Sequence, residues 1–325
     1  MGAWGGQPGA ERDLRDADPD AARSVERPRG RGRSVNWVGT NRWWGLAFVL
    51  PSAVFLLGFT LLPIAAAAVL SFFDWTLPAD PSFVGMANFS ELADDRQFWA
   101  AVGHTLQFIA GYVPLVLATG LGLAMMLNRQ GRYTGFTRVL FFMPVVSAWV
   151  AVALIWKWML NPRFGVINWL LGLVGVEGPA WLFERGWAMA AIIGASVWKD
   201  TGFVMLLFLA GLQAIPSDYR EAAFVDGATR WQAFWRITVP LLTPTIFLVV
   251  IISLINSFQI FEQVWILTGG GPVASTTVIV ERIVTTAFDY GRVGYAAAMS
   301  WVLFLLIFAV TLVQHRAQDR WVFHE

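Results

Sequence analysis

The chain has no cysteine, which excludes disulfides, cysteine-ligated zinc and iron–sulfur clusters. Lysine is nearly absent. Lys157 and Lys199 are the two present, and neither ends the G-x-x-x-x-G-K-[ST] pattern that cradles a nucleotide's phosphates. This chain therefore cannot hydrolyse ATP by that chemistry, and no cofactor is expected in it. His104, His315 and His324 are scattered without metal-ligand spacing, so no metal site is expected. No serine or histidine shares a helix face with an acid in a catalytic arrangement, so no catalytic residue is named. Charged residues make up 14% of the 325, against about 25% in a soluble domain. A net charge of +1 gives no general attraction for nucleic acid.

What is abundant is apolar. Hydrophobic residues reach 57% and the mean hydropathy is +0.57. Much of the charge sits in residues 1–42, which are rich in Gly, Pro, Asp and Arg and cannot bury a core. They are expected to form a disordered basic cytoplasmic tail. The apolar run that follows, from Trp43 to about Phe73, exceeds the roughly 7–15 residues of a signal-peptide core. It is read as a membrane anchor.

Six segments have the roughly 20 apolar residues that a helical span needs: 43–72, 103–127, 137–160, 187–211, 242–267 and 294–314. The second contains Gly111, Pro114, Gly120 and Gly122, which membrane helices tolerate. The stretch 164–174 is too short to span and reads as a re-entrant or interfacial helix. The expected fold is all-α and polytopic, with a six-helix membrane domain over 43–315 and a cytoplasmic tail over 316–325. With the N-terminus inside, sixteen arginines fall on the inner side and six basic residues on the outer, Lys199 lying within a span. Both termini are accordingly expected in the cytoplasm, with lipid around the spans.

Between spans four and five lies a polar loop, 213–241, reading QAIPSDYREAAFVDGATRWQAFWRITVPL. Pro216 and Ser217 suggest a helix start, with Ser217 as N-cap. Gly227 should bend the chain, at positive φ. Thr229 can cap a second short helix, on which Trp231, Phe234 and Trp235 form one apolar face; Pro240 should end it. Two short surface helices suited to docking are the expectation. The run Gly269-Gly270-Gly271 reads as a turn closing span five, and the adjacent Asp94 and Asp95 as a solvated face.

Polar residues inside spans are costly and mark either a hydrated path or a helix–helix pair. Lys199 and Asp200 fall near the middle of span four, flanked by Trp198 and Phe203, whose rings could stack on a sugar. In span five Ser253, Asn256, Gln259 (or Ile260) and Gln263 recur at helical spacing. Their amides both donate and accept, as a hydroxyl-rich ligand requires.

The order Glu221-Ala222-Ala223, three residues, Gly227, nine residues, Ile237, one residue, Val239-Pro240 resembles the EAA motif of binding-protein-dependent ABC importer permeases, with Val239 where that pattern usually has Leu. The segments Phe83–Phe89, Ala210–Pro216, Asp226-Gly227-Ala228 and Thr268–Pro272 are similar to carbohydrate permeases of the maltose and glycerol-phosphate type. The resemblance spans about 43–315. It implies a type I ABC importer permease in the cell (inner) membrane, and a transport subunit rather than an enzyme. Its implied partners are a second permease subunit, a cytoplasmic ATPase dimer that holds ATP and magnesium, and an extracellular or periplasmic solute-binding protein. It further implies that Glu221, Ala222, Ala223, Asp226, Gly227, Ile237 and Pro240 couple to the ATPase. The substrate path it implies runs past Trp198, Lys199, Asp200, Phe203, Asn256, Ser257 and Gln259. Two other readings make different demands on the sequence. An ion- or proton-coupled carrier would show internal repeats, and none is clear between the halves. A polytopic membrane enzyme would need a catalytic set near one interface.

Overall fold

The computed structural model describes residues 42–128, 131 and 134–321. The tail expected to be disordered lies outside these except for Arg42, as do Arg129 and Arg132 of the first inner loop. Arg42 is itself the first residue of a helix, α1 (Arg42–Leu56). Two compact units part between Gly58 and Phe59. The helices of the second are α2 (Leu62–Leu70), α3 (Ala87–Asp94), α4 (Arg96–Leu127), α5 (Thr134–Val146), α6 (Trp149–Met159), α7 (Val166–Leu173) and α8 (Arg185–Ala214). Then follow α9 (Ser217–Val225), α10 (Arg230–Ala233), α11 (Val239–Leu241), α12 (Thr243–Phe258), α13 (Glu262–Leu267), α14 (Ile279–Val284) and α15 (Val293–Trp321). Among the described residues the fold is helical apart from one antiparallel pair, β1 (Phe73–Asp74) with β2 (Ser82–Phe83), and an isolated bridge between Thr76 and Arg292.

Among the described residues four helices are long and apolar enough to span: Phe48–Leu70, Arg96–Leu127, Arg185–Ala214 and Val293–Arg316. Two further spans exist only if each of two bent pairs counts as one. The expected continuous third span is broken at Ser147 and Ala148, where α5 and α6 meet at 97°. Pro144 sits three residues earlier and cannot donate to its helical ladder. The expected fifth span is also not one helix: α12 stops at Phe258, and α13 begins after Gln259–Phe261. The polar stripe is thereby divided between two helices. At the far end α15 runs to Trp321, into the expected tail, because no Gly or Pro interrupts 315–321; residues 322–325 lie outside the described set.

The core forms where α4 and α8 run side by side. Phe108, Val116 and Ala124 of α4 pack with Ile192, Met205 and Phe208 of α8. Thr119 and Thr201 bond across the pair at 3.0 Å. Gly202 lets α8 press against the backbone of α5: a Cβ there would run into the carbonyl of Phe141. A second cluster joins Phe98, Phe258, Ile279, Tyr295 and Met299. Large apolar residues such as Leu154, Ile155, Phe304 and Phe308 stay exposed, as surfaces facing hydrocarbon should.

The first loop is closed by one side chain. Asn88, almost fully buried, donates through Nδ2 to the carbonyls of Ser71 and Phe73, both at 2.9 Å. Asn168 does similar work behind α7, donating to Gly178 and Pro179 and accepting from the Trp181 indole.

Candidate functional site

A cavity of about 400 Å³ opens between α4, α8 and the break after α12. Phe108 and Tyr112 of α4 line one wall and Asp200 of α8 another. Asn256 and Ser257 come from the end of α12; Gln259, Ile260 and Phe261 are the break itself; Glu262 and Gln263 open α13. Trp149, the first residue of α6, completes the lining.

Phe108 and Tyr112 lie one helical turn apart, and their rings stack at 5.1 Å with an interplanar angle of 12°. The Tyr112 hydroxyl donates to Asp200 Oδ2 at 2.9 Å. One carboxylate oxygen is thus fixed in place. No protein hydrogen bond from the described residues reaches the other.

Neighbours on a helix diverge by about 100°, so Lys199 points elsewhere. Its Nζ donates to the Val145 carbonyl at 3.0 Å and lies 5.1 Å from the centre of the Trp149 ring. Val145 belongs to the last turn of α5, whose carbonyls lack helical partners and attract a cation. Lys199 is therefore not in the lining of this cavity, and it forms no ion pair with another helix among the described residues. Trp198 packs edge-on against Trp156 at 5.7 Å and lines a separate apolar groove with Thr119 and Thr201. Phe203 lines neither. Of the seven path candidates the structure gathers Asp200, Asn256, Ser257 and Gln259. The Ser257 hydroxyl is occupied by the carbonyl of Ser253, at 2.6 Å.

Tyr112, Trp149 and Glu262 escaped the sequence reading. Glu262 carried a readable signal, being an acid within the segment read as span five. Trp149 carried none, because its place depends on the break before α6.

The loop 213–241 contains two short helical pieces. Pro216, not Ser217, is the N-cap of α9, and Ser217 is its first helical residue. At the other end Gly227 has φ +81°. Its N–H donates to Phe224 and that of Ala228 to Ala223, the Schellman pattern that needs a left-handed residue. Thr229 and Gln232 cap α10 reciprocally. Pro240 does not end the second piece. A π-helical turn, Phe234–Thr238, precedes it and α11 continues to Leu241, the wider turn accommodating the proline ring. Trp231, Phe234 and Trp235 form one aromatic cluster with ring centres 5.1–6.0 Å apart, the two tryptophans exposed. Glu221, Ala222 and Asp226 are exposed, Ala223 is buried, and Ile237 and Pro240 are half-buried.

A polar cluster stands at the N-terminal end of α4, the opposite end from that loop. Arg292 grips Glu91 through two hydrogen bonds of 2.7 Å, which hold the Glu91 carboxyl below its usual range. Asp95 is not on a solvated face. It caps α4 through the amides of Gln97 and Phe98, accepts from Tyr295 at 2.9 Å and lies 3.8 Å from Arg282. Burial works to raise its pKa, but these hydrogen bonds and the Arg282 charge outweigh it and the net shift is downward. The glycine run forms a tight turn, with Gly269 and Gly270 both at positive φ.

Residues 116–323 match the family described as binding-protein-dependent transport system inner membrane component. A probable ABC transporter permease of Bacillus subtilis, YesP, is 37% identical over 86% of this chain and 92% of its own. The trehalose/maltose permease MalF of Thermococcus litoralis is 35% identical over 83% and 91%. Among solved structures, a bacterial ABC transporter for import of the acidic polysaccharide alginate superposes with a TM-score of 0.76 at 26% identity. That match covers 86% of this chain and 96% of the other. By fold and by sequence, this chain belongs to the inner-membrane components of binding-protein-dependent transport systems.

Proposed function

We propose that this chain is one of two membrane-spanning subunits of an ATP-driven importer, and that it passes a sugar or sugar-like solute delivered by an external binding protein. The observation that carries the reading is the polar cavity among otherwise apolar helices. Its amides, carboxylates and phenol match the mixed donors and acceptors of a polyol, and its aromatic rings offer flat apolar faces. The named relatives support a sugar: one is a trehalose/maltose permease and another a lactose permease, of Rhizobium radiobacter.

Asp200, Asn256 and Gln259 are assigned to the solute, with Tyr112 setting the Asp200 carboxylate. ATP and magnesium are assigned to a separate ATPase, since this chain lacks a phosphate-binding loop. The loop 213–241 is assigned to the joint with that ATPase. Glu221 and Asp226 offer charge on its exposed side, Gly227 sets the angle between its helices, and Ala223, Ile237 and Pro240 anchor it inward. Both termini are assigned to the cytoplasm.

The test is co-expression with a second permease, an ATPase and a binding protein, followed by reconstitution and ATP-dependent uptake of a panel of radiolabelled sugars. Uptake that requires all four components supports the reading. Uptake by this chain alone, driven by an ion gradient, overturns it. Reporter fusions at Ala180 and Thr276 should read outside and a fusion at Arg230 inside. The reverse pattern would put the loop on the wrong face for an ATPase.

A further inference from the structure

Resting on that reading, we propose that this chain's side of the cavity admits uncharged polyhydroxylated solutes and turns away anionic ones. The lining contains two carboxylates, Asp200 and Glu262, and no lysine, arginine or histidine.

No basic side chain of the surrounding helices is in that lining: His104 of α4 lies 3.0 Å from the Thr277 carbonyl, and Arg96 and Arg185 are the first residues of α4 and α8. Lys199, next in sequence to Asp200, is almost fully buried and tied to the Val145 carbonyl and the Trp149 ring. Lys157 of α6 donates to the Ile266 carbonyl of α13 at 2.9 Å. Arg282 and Arg292 face Asp95 and Glu91 at the end of α4.

Hydroxyl groups suit what remains. One Asp200 oxygen accepts from Tyr112, and the other can accept from a solute hydroxyl. Asn256 and Gln259 can donate to ring or hydroxyl oxygens. A carboxylate, sulfonate or phosphate on the solute would meet two carboxylates, one half-buried at Asp200 and one exposed at Glu262. Such a group also finds no guanidinium or ammonium to pair with.

The absence of native cysteine allows the field to be read directly. A single cysteine is introduced as Gln259→Cys in the assembled importer. Its labelling rates are measured with a cationic and an anionic methanethiosulfonate of similar size, each relative to free cysteine in solution. The expected result is a cation preference of roughly tenfold or more, which falls toward unity when Asp200→Asn and Glu262→Gln are added. In separate proteoliposomes of the unsubstituted importer, uptake is compared for matched pairs: glucose with glucuronate, glycerol with glycerol 3-phosphate, maltose with maltobionate. The neutral member should be imported, and its acid at less than about a tenth of that rate. Equal labelling by both reagents, a preference that survives the double substitution, or import of an acid at a rate comparable to its neutral partner overturns the proposal. Loss of all uptake counts against the importer reading, while the labelling ratio still decides the sign of the field.

Discussion

The Lys199 ammonium donates to the carbonyl of Val145 and closes the end of the broken helix α5 from the neighbouring helix α8. The same ammonium rests 5.1 Å from the centre of the Trp149 ring, the first residue beyond the break. One side chain therefore holds both sides of a 97° corner.

Replacing it with an apolar chain of similar length should loosen that corner. Lys199→Met takes the Lys199 partner from the carbonyl of half-buried Val145, at a cost of up to about 1–3 kcal/mol. The purified protein should melt several degrees lower and transport more slowly, with Lys199→Arg intermediate. Native melting and native uptake in Lys199→Met would show that the tether is dispensable.

The Gly202 contact makes a second prediction with an internal control. Gly202→Ala places a methyl group against the Phe141 carbonyl, whereas Gly194→Ala on the same helix meets nothing within 4 Å. The first should destabilise by about 1–3 kcal/mol, as overpacking does; the second should be neutral or slightly stabilising. Thermal unfolding in detergent separates them. Equal midpoints for the two variants would mean that α5 and α8 yield freely at this crossing.

Within the cavity, Asn256→Leu and Gln259→Leu should assemble normally and lose most uptake, since each removes hydrogen bonds and adds apolar area. Ser257→Ala should retain uptake, because that hydroxyl is already engaged with Ser253. Uptake kinetics beside a size-exclusion profile is the measurement. The opposite ranking would place the solute on the buried face of α12.

Gly227 tests the joint. Gly227→Val forces a β-branched residue to φ +81°, a conformation costing roughly 1–2 kcal/mol even for an ordinary residue. Gly227→Asn should be milder, as Asn visits that region more readily. In proteoliposomes the valine variant should insert normally yet lose the stimulation of ATP hydrolysis by loaded binding protein. Full stimulation in that variant would remove the loop from the coupling path.

Acid should undo the polar cluster at the start of α4. Glu91 and Asp95 both titrate below their usual range in the folded protein. Their stabilising contribution is therefore complete above the ordinary carboxylate value of about 4. It is lost as pH falls through the depressed folded values. The melting temperature of Glu91→Gln should lie below wild type at pH 6 and converge on it toward pH 3. A gap that stays constant over that range would mean that the ion pair is energetically silent.

Much of this architecture was legible because membrane helices announce themselves by length and apolarity, as α4, α8 and α15 do. The loop 213–241 was legible for a different reason: Gly227, Thr229 and Gln232 carry local chemistry that fixes a turn and a cap. The breaks were hidden. Ser147 and Ala148 lie in an apolar run, with Pro144 as the one warning. Gln259–Phe261 has neither Gly nor Pro, so periodicity ran straight through it and read one helix where the structure has two and a link, although Asn256, Gln259 and Gln263 do line one cavity. The partners of Lys199 were beyond reach for the same cause, since a helix end at Val145 was needed before its carbonyl could be seen as vacant. The cap that Asp95 places on α4 is local, but its Tyr295 and Arg282 partners, like the Ser71 and Phe73 carbonyls that Asn88 meets, are distant in sequence, and no local pattern encodes them.

The cavity has unequal walls. Phe108, Tyr112 and Asp200 sit on continuous helices of 32 and 30 residues, while Trp149 and Gln259–Glu262 sit at or beside interruptions. Mechanically, two sides are beams and the remainder is jointed. The aperture can widen or narrow through backbone torsions at a few residues, as hinges do, without breaking a ladder bond in either beam. The side chains assigned to the solute are thus divided between the continuous frame, which sets Asp200, and the jointed edge, which carries Gln259 beside the carboxylate of Glu262. Opening that edge would separate the two carboxylates and weaken the grip on a bound solute in the same movement.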